Sequence, residues 1–520
     1  KPPRLSDITM EKRKQKQKKK IDSNGDEKKD AAMNGSEVNP SDSEVAANDS
    51  LVSRSSNSNS EDEAQGAANK RVKLDKQKRI FQARDSILTE LCTKDKNIEA
   101  LYHVLMIMTV TTILYSLLRD SVEAGMPHVD FTLYVNGFGS GSKQLMAIGM
   151  WFCLQTAVLL VYPAFMLWQK MRAVSPTCAD AFFATLFLLY QMAAHTAVVT
   201  FIVQLNLPPV PSLCLSIEQL RFTMKSYSFV RENAYKVLHP WNKDDSTGPA
   251  IWYAGQMEPK VGSIASYLYF LFVPTLLYRD RYPRTPRVQY LRVFSHFIKC
   301  AVSITFMVIL CKEVFNPSNH GRYGNAVPFS AKFVANQFLA CMLWGLCLQF
   351  MTGYFFLHSW SNMFAEMLRF ADREFYADWW TCTSFSMFYR KWNLLIHDWI
   401  KAYIYHDLRD LFNSKFYNRI ASFPTIIISA LFHEYVLWAP FRFIAPILLV
   451  QYGTFGTILY FVKPSPNSKF WNYFIHIGLN IGVAAMVFCY TMELYARHLC
   501  PREESFSNTF MPRSLDCVLL

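Results

Sequence analysis

The sequence predicts an all-α protein that crosses a membrane about nine times. Hydrophobic residues make up 51% of the chain and aromatic residues 15%, yet the mean hydropathy is only +0.06. These values indicate two regions of opposite character, because a polar, Lys- and Ser-rich start lowers the mean of a much more apolar remainder. A helix needs about 20 apolar residues to cross a bilayer. Eight segments qualify: 101–118, 144–168, 179–203, 292–315, 331–357, 420–438, 441–462 and 471–495.

A ninth span is expected between residues 209 and 277, where two segments compete. Hydropathy prefers 267–277, which is short and contains Pro274. The alternative, 212–230, is amphipathic and carries charged side chains. Either choice gives nine spans, and nine spans place the Lys- and Arg-rich loops on the side of the basic N-terminal region, as the positive-inside rule requires. The N-terminal region is therefore predicted to be cytosolic and the C-terminal tail lumenal.

The polar start divides into two parts. Residues 1–76 are rich in Ser, Asn, Lys, Asp and Glu and poor in aromatic residues, which predicts a disordered cytosolic region. Within residues 77–98, apolar side chains recur at helical spacing from Phe81 to Leu91. This pattern predicts an amphipathic helix on the cytosolic surface and a candidate oligomerisation segment. Residues 99–500 then form the membrane domain.

The cysteines argue against a metal site and for one disulfide. Of the 12 cysteines most lie singly in apolar spans, and none shows the paired spacing of a zinc site. Cys500 and Cys517 differ, since they border or lie in the polar tail 501–520. If that tail is lumenal, an oxidising compartment permits the two to pair, and a disulfide is predicted.

The formal net charge of +13 does not indicate nucleic-acid binding. The basic residues cluster at 11–20, at 70–79 and in loops beside apolar spans. That distribution is typical of membrane proteins. No recognised nucleic-acid motif accompanies the charge, so a nucleic-acid partner is not expected.

His433 is the strongest candidate for a catalytic group. It follows the apolar run 426–432, and no basic residue balances it. Ionisable groups at membrane depth are costly and usually functional, and a neutral imidazole accepts a proton. The alternative is a packing histidine that donates to a nearby carbonyl. Glu434 faces another side of the helix and is predicted to be structural. Three histidines in other spans are predicted to pack or to bond between helices: His195, His296 and His476.

The segment 359–419 is the longest polar interruption in the C-terminal half, and it is dense in Trp, Tyr, Phe and His. A solvated loop would be rich in Gly, Pro, Ser and Asn instead. Aromatic residues mixed with Lys and Arg are typical of helices at a membrane interface. The segment is therefore predicted to form a cytosolic interfacial surface that admits a large amphiphilic ligand.

Four motifs lie in and after this segment: Phe375-Tyr-Ala-Asp-Trp-Trp380, Tyr389-Arg-Lys-Trp-Asn393, His397-Asp-Trp399 and His433-Glu-Tyr435. Together they resemble the membrane-bound O-acyltransferase superfamily, in particular its sterol O-acyltransferase branch. The resemblance extends from about Phe81 to the C-terminus. One position departs from it: the seventh signature residue, usually Asn, is Thr381. Any role specific to the Asn amide is therefore in doubt.

The resemblance implies the roles of individual residues. His433 would be the catalytic base, Asn393 its active-site partner, and Ser429 a residue near the thioester. It also places the fourth span at 209–232, with 263–277 in a membrane segment on the cytosolic side. The expected acyl-coenzyme A-binding residues are Phe375, Tyr376, Asp378, Trp379, Trp380, Arg390, Trp392 and His397.

The implied activity is transfer of a long-chain acyl group from acyl-coenzyme A to a sterol such as cholesterol, in the endoplasmic reticulum membrane. Acyl-coenzyme A is a co-substrate, no cofactor or metal is expected, and a dimer or tetramer is implied. Diacylglycerol O-acyltransferase, of the same superfamily, is the alternative. A transporter would show inverted repeats, which we do not find. A sterol-binding protein with a dead site would not need both Asn393 and His433.

Overall fold

The computed structural model describes residues 79–126, 132–238, 262–314, 331–412, 422–462, 464–465, 467–500 and 512–514. Across these ranges the chain forms helices and isolated bridges, with no strand. The prediction of an all-α fold is therefore confirmed. The predicted disordered region 1–76 and most of the predicted tail 501–520 lie outside the described residues.

We number the α-helices in chain order. They are α1 (Ile87–Lys94), α2 (Lys96–Ala124), α3 (Thr132–Phe138), α4 (Gly141–Leu159), α5 (Val161–Arg172), α6 (Pro176–Gln204), α7 (Pro209–Leu238), α8 (Ile264–Phe272), α9 (Tyr290–Val314), α10 (Ala331–Gly353), α11 (Ser361–Met367), α12 (Phe385–Trp392), α13 (Leu394–Ile400), α14 (His406–Phe412), α15 (Ser422–Phe441), α16 (Ile447–Gln451), α17 (Thr457–Phe461) and α18 (Lys469–Leu499). Turns of π-helix join α10 to α11, α13 to α14 and α16 to α17.

Seven helical segments of the described chain are long and apolar enough to cross a membrane. They coincide with seven of the predicted spans. The predicted span 441–462 instead contains two short helices, α16 and α17, because the chain is not helical from Arg442 to Pro446. The total of nine spans therefore stays a prediction.

Helix length excludes one of the two candidates for the remaining span. Helix α7 has 30 residues, whereas α8 has nine and ends before Pro274, too short to cross a bilayer. The hydropathy preference for 267–277 is therefore wrong. The charges of α7 are bound inside the protein: the buried Lys225 Nζ donates to the carbonyls of Phe270 and Val273 at 2.6 and 2.7 Å. A cation at the C-terminal end of α8 stabilises carbonyls that have no partner within that helix.

The predicted helix near the start of the domain begins later than the sequence pattern indicates. Helix α1 starts at Ile87, so a helix from Phe81 is wrong for the residues before it. Those residues are extended, and Arg84 exchanges backbone hydrogen bonds with Ala371 and Arg373 at 2.9 and 3.0 Å. Pairing with another segment uses the backbone groups that a helix would need.

The packing of a few helices positions the candidate site. Helix α15, which carries His433, packs against α7, while α10 packs along α18. Gly345 allows the close approach of α10 and α18, since a Cβ there would lie 3.3 Å from the Val483 side chain. Helices α12 and α13 follow the Phe375–Trp380 stretch, and α12 packs against α13 and α17.

Candidate active site

His433 is held in one tautomer by its own helix. Its Nδ1 lies 2.7 Å from the carbonyl oxygen of Ser429, one turn earlier on α15. A carbonyl only accepts, so Nδ1 carries the proton and Nε2 keeps a free lone pair. The side chain is exposed, and its ring forms a T-shaped pair with Tyr452, the two ring centroids being 6.1 Å apart. The arrangement provides a proton acceptor on an accessible face of a membrane helix.

Glu434 is buried and binds on a different side of α15. Its carboxylate accepts from the backbone N–H of Leu448 at 2.7 Å and of Leu449 at 3.1 Å. The hydroxyl of Tyr490 donates to the other oxygen at 2.9 Å. Glu434 thus ties α15 to α16 and α18, and these contacts agree with the prediction that it is structural.

The Phe375–Trp380 stretch is fixed against the junction of α12 and α13. Phe375 is buried and its carbonyl accepts from the N–H of Leu394 at 3.0 Å, while Ala377 N–H donates to the Lys391 carbonyl at 2.8 Å. The hydroxyl of the buried Tyr376 is hydrogen-bonded to His358 Nδ1 at 3.0 Å. Phe375 and Tyr376 therefore shape the scaffold from inside, and their side chains are not open to a ligand.

The tryptophans of the same motifs line a cavity of about 240 Å³. The ring of Trp392 lies 4.9 Å from Trp379 and stacks on Phe388 at 5.3 Å. It fits there because residue 353 is a glycine: a Cβ at Gly353 would lie 2.6 Å from the Trp392 ring. The cavity is mostly apolar with a few polar groups, and its lining residues are Leu346, Gln349, Phe350, Trp379, Phe388, Trp392, Tyr473, His476, Ile477, Leu479 and Asn480.

Asp378 and Thr381 form a small polar turn at the edge of this cavity wall. Lys391 Nζ lies 2.9 Å from Asp378, and the Thr381 hydroxyl donates to the same carboxylate at 2.8 Å. Burial alone would raise the pKa of Asp378, but the hydrogen bonds from Lys391 and Thr381 hold it below its usual value. The Thr381 hydroxyl therefore has a defined structural partner in place of the missing amide.

Asn393 caps a helix in this structure. Its Oδ1 accepts from the N–H of Ile396 at 3.2 Å, which starts α13. Within the described ranges no hydrogen bond or ring contact joins Asn393 to His433. An indirect route joins the two regions through aromatic rings. Tyr452, which packs against His433, also packs against Tyr389, with the ring centroids of the two tyrosines 5.4 Å apart.

The other predicted ligand-binding residues differ in accessibility. Arg390 is exposed, and its Nε donates to the Ser386 carbonyl at 3.1 Å. Trp380 presents its carbonyl to His476 Nε2 at 3.1 Å, so that histidine bonds between chain segments as predicted. His397 is partly buried, and burial lowers its pKa even though the neighbouring Asp398 opposes the shift.

A second polar cluster beside α15 was not predicted as a unit. Tyr435 donates its hydroxyl to Gln219 Oε1, and the Gln219 amide nitrogen is bonded to His195 Nδ1. The cluster joins α6, α7 and α15 two residues from His433. Each member lies on a different helix, so no local sequence pattern links them. The one sequence signal for the cluster is that each of these helices carries a polar residue.

The structure supports one end of the predicted disulfide. Cys500 is disulfide-bonded. Cys517 lies outside the described residues, so the pairing itself stays a prediction. Among the residues that are described, no cluster of three or more His, Cys, Asp or Glu side chains could hold a metal ion.

The fold and site define a helical membrane protein with an exposed histidine in one span and an aromatic cavity lined by residues of other helices. The sequence model of the membrane-bound O-acyltransferase family matches residues 147–491. Sterol O-acyltransferase 1 of Chlorocebus aethiops is 34% identical over 451 residues, covering 85% of this chain and 78% of that protein. Sterol O-acyltransferase 2 of Homo sapiens is 34% identical over 459 residues, covering 85% of this chain and 81% of that protein.

The chain therefore belongs to the membrane-bound O-acyltransferase family, and it is a multi-pass acyltransferase.

Proposed function

We propose that this protein transfers a long-chain fatty acyl group from acyl-coenzyme A to the hydroxyl of a sterol such as cholesterol, with His433 as the general base. The observation that carries the proposal is the bond from His433 Nδ1 to the Ser429 carbonyl, which leaves Nε2 as a proton acceptor. The similarity to sterol O-acyltransferases supports sterol as the acceptor.

The reaction needs a base because a sterol hydroxyl is a poor nucleophile. His433 Nε2 takes the hydroxyl proton as the oxygen attacks the thioester carbon, and the carbonyl oxygen becomes negative. Collapse of this intermediate breaks the C–S bond, and the imidazolium returns its proton to the departing thiolate. The Asn393 side-chain amide donates to the developing oxyanion while its oxygen remains the helix cap. No oxidant or covalent acyl-enzyme is required.

The two substrates differ in polarity and therefore in their route. The charged coenzyme A head approaches from the cytosolic face formed by residues 359–419, where Arg390 is exposed. The sterol enters from the bilayer, since it is apolar apart from one hydroxyl. The cavity beside Trp379 and Trp392 accepts part of an apolar chain. We also propose that the enzyme lies in the endoplasmic reticulum membrane, with a cytosolic N-terminal region and a lumenal C-terminal tail, and that it is a homo-oligomer.

Microsomes that express the chain test the proposal directly. Radiolabelled oleoyl-coenzyme A is supplied with cholesterol or with diacylglycerol, and the ester products are separated. We expect cholesteryl ester from the wild type. His433→Ala should lower the rate at least 100-fold, the lower end of a general-base effect. His433→Asn is the matched variant, because it keeps a short donor near the Nδ1 position but supplies no base.

The outcomes separate the alternatives. Predominant triacylglycerol synthesis would replace the sterol by diacylglycerol as acceptor. Near-normal activity in either His433 variant, with expression equal to that of the wild type, would show that His433 is not the general base. His103→Ala serves as a control, since that histidine is exposed on α2 and has no place in the site.

A further inference from the structure

The segment just before α1 pairs with residues 371–373, which lie just before the Phe375–Trp380 stretch. We name residues 79–86 the strap. Arg84 forms a parallel bridge with Asp372, and Phe370, two residues earlier, forms an antiparallel bridge with Arg284. Phe81 adds edge contacts to Phe370 at 6.1 Å. The strap precedes residue 147, where the match to the family model begins.

One side chain of the strap holds both ends of the proposed acyl-coenzyme A segment. Arg79 Nη2 donates to Asp372 at 2.9 Å and to the Glu374 carbonyl at 2.9 Å, immediately before Phe375. Its Nη1 donates to Asp398 at 2.7 Å, immediately after His397. The Arg79 side chain is only 14% exposed. A guanidinium can make this fork because its donors point in fixed, diverging directions.

The strap also supplies the charge balance of this region. The Asp372 side chain is fully buried and accepts from Arg79, from Arg84 at 3.1 Å and from the Gln82 N–H at 3.0 Å. Arg84 pairs in addition with Glu374 at 2.7 Å. Removing one partner leaves a buried carboxylate that is only partly compensated, and such carboxylates repel one another. Arg84 does not reach Asp398, so Arg79 alone of these two arginines bridges the two ends.

We infer that the strap positions the acyl-coenzyme A segment, and that Arg79 is a positioning residue which sets the distance between Asp372 and Asp398. It touches neither substrate nor His433. This inference rests on the proposed function, because it assumes that residues 375–397 bind acyl-coenzyme A. Loosening the clamp should weaken acyl-coenzyme A binding more than it slows the chemical step, since His433 lies on a separate helix and Asn393 keeps its own cap bond to the Ile396 N–H.

The test compares strap variants of the full chain in detergent micelles with saturating cholesterol. Arg79→Gln should raise KM for oleoyl-coenzyme A about tenfold while kcat changes less than threefold. Arg79→Lys should fall between, because an ammonium is a point charge and does not span two carboxylates with a fixed fork. Arg84→Gln should change KM less than threefold. Lys94→Gln, in an exposed pair with Glu90, is the neutral control.

A double variant and a second readout keep the inference testable. Arg79→Gln with Asp398→Asn should recover part of the KM loss, because the unpaired carboxylate is gone. Hydrogen–deuterium exchange of residues 385–400 is measured without any substrate and should rise in Arg79→Gln and Arg79→Lys but not in Arg84→Gln. Equal effects of the Arg79 and Arg84 variants on KM and exchange, or unchanged exchange in the Arg79 variants, would overturn the inference that Arg79 positions this segment. A wild type that transfers no acyl group from oleoyl-coenzyme A, with the exchange pattern as expected, would refute the proposed function and leave the clamp itself supported.

Discussion

Replacing Glu434 tests whether the carboxylate next to the proposed base maintains the helix that carries it. In the structure its two oxygens receive two backbone N–H groups at the start of α16 and the hydroxyl of Tyr490. The N–H groups at the start of a helix have no partner within that helix. Glu434→Ala would leave those of Leu448 and Leu449 without their acceptor. Tyr490 would keep a second acceptor, the Ala445 carbonyl at 3.2 Å.

The size of the effect follows from this count. A buried donor left without a partner destabilises by about 1–3 kcal/mol, so two give about 2–6 kcal/mol. Glu434→Gln keeps one oxygen for both N–H groups, and its amide can donate to the Tyr490 hydroxyl. We therefore expect Glu434→Gln to lower the free energy of unfolding by about 1 kcal/mol and Glu434→Ala by about 4 kcal/mol, which includes the cost of the cavity left by Ala.

Thermal unfolding of the purified chain in detergent measures the difference. Glu434→Ala should lower Tm by several degrees and Glu434→Gln by much less. His433→Ala is the matched control at the adjacent position, and its Tm should stay near that of the wild type. Equal Tm values for Glu434→Ala and the wild type would refute the anchoring role. An equal loss in Gln and Ala would show that retaining one oxygen does not rescue the contacts.

Two further variants separate structural from chemical roles. Asn393→Ala should lose about 1 kcal/mol of stability because the cap of α13 is removed, whereas Asn393→Asp keeps the accepting oxygen and the cap. A fall in acyl transfer in both variants would assign the activity to the amide donor. Full activity in Asn393→Asp would show that Asn393 acts as a cap alone. His406 is buried, and burial, with Arg409 and Lys401 nearby, lowers its pKa from 6.5 to about 4. The unfolded chain then binds a proton first, so stability should fall as pH drops from 6.5 toward 4, by at most about 1.4 kcal/mol per unit from this group. His406→Gln should flatten the pH dependence of Tm, and an unchanged slope would contradict the assignment.

The sequence by itself determined the helical membrane fold, the family and His433 as the leading candidate. These follow from local patterns: runs of about 20 apolar residues, one ionisable group within such a run, and ordered motifs such as Phe375–Trp380. Hydropathy failed at 267–277 because it scores each residue as if it faced lipid. Lys225 in fact faces carbonyls of the protein, which permits a charged helix to pack inside the bundle.

Tertiary structure alone decided which contacts each candidate residue makes and which of them are buried. Spacing cannot show that Tyr376 points inward to His358, that Trp392 fills the space left open at Gly353, or that Asn393 caps α13. It also cannot show that Arg79 reaches Asp398 across more than 300 residues of chain. Contacts of this kind depend on how distant helices pack, because the partners share no local pattern. The sequence could therefore single out His433, but only its side-chain conformation, with Nδ1 against the Ser429 carbonyl of the same helix, shows which of its nitrogens is free.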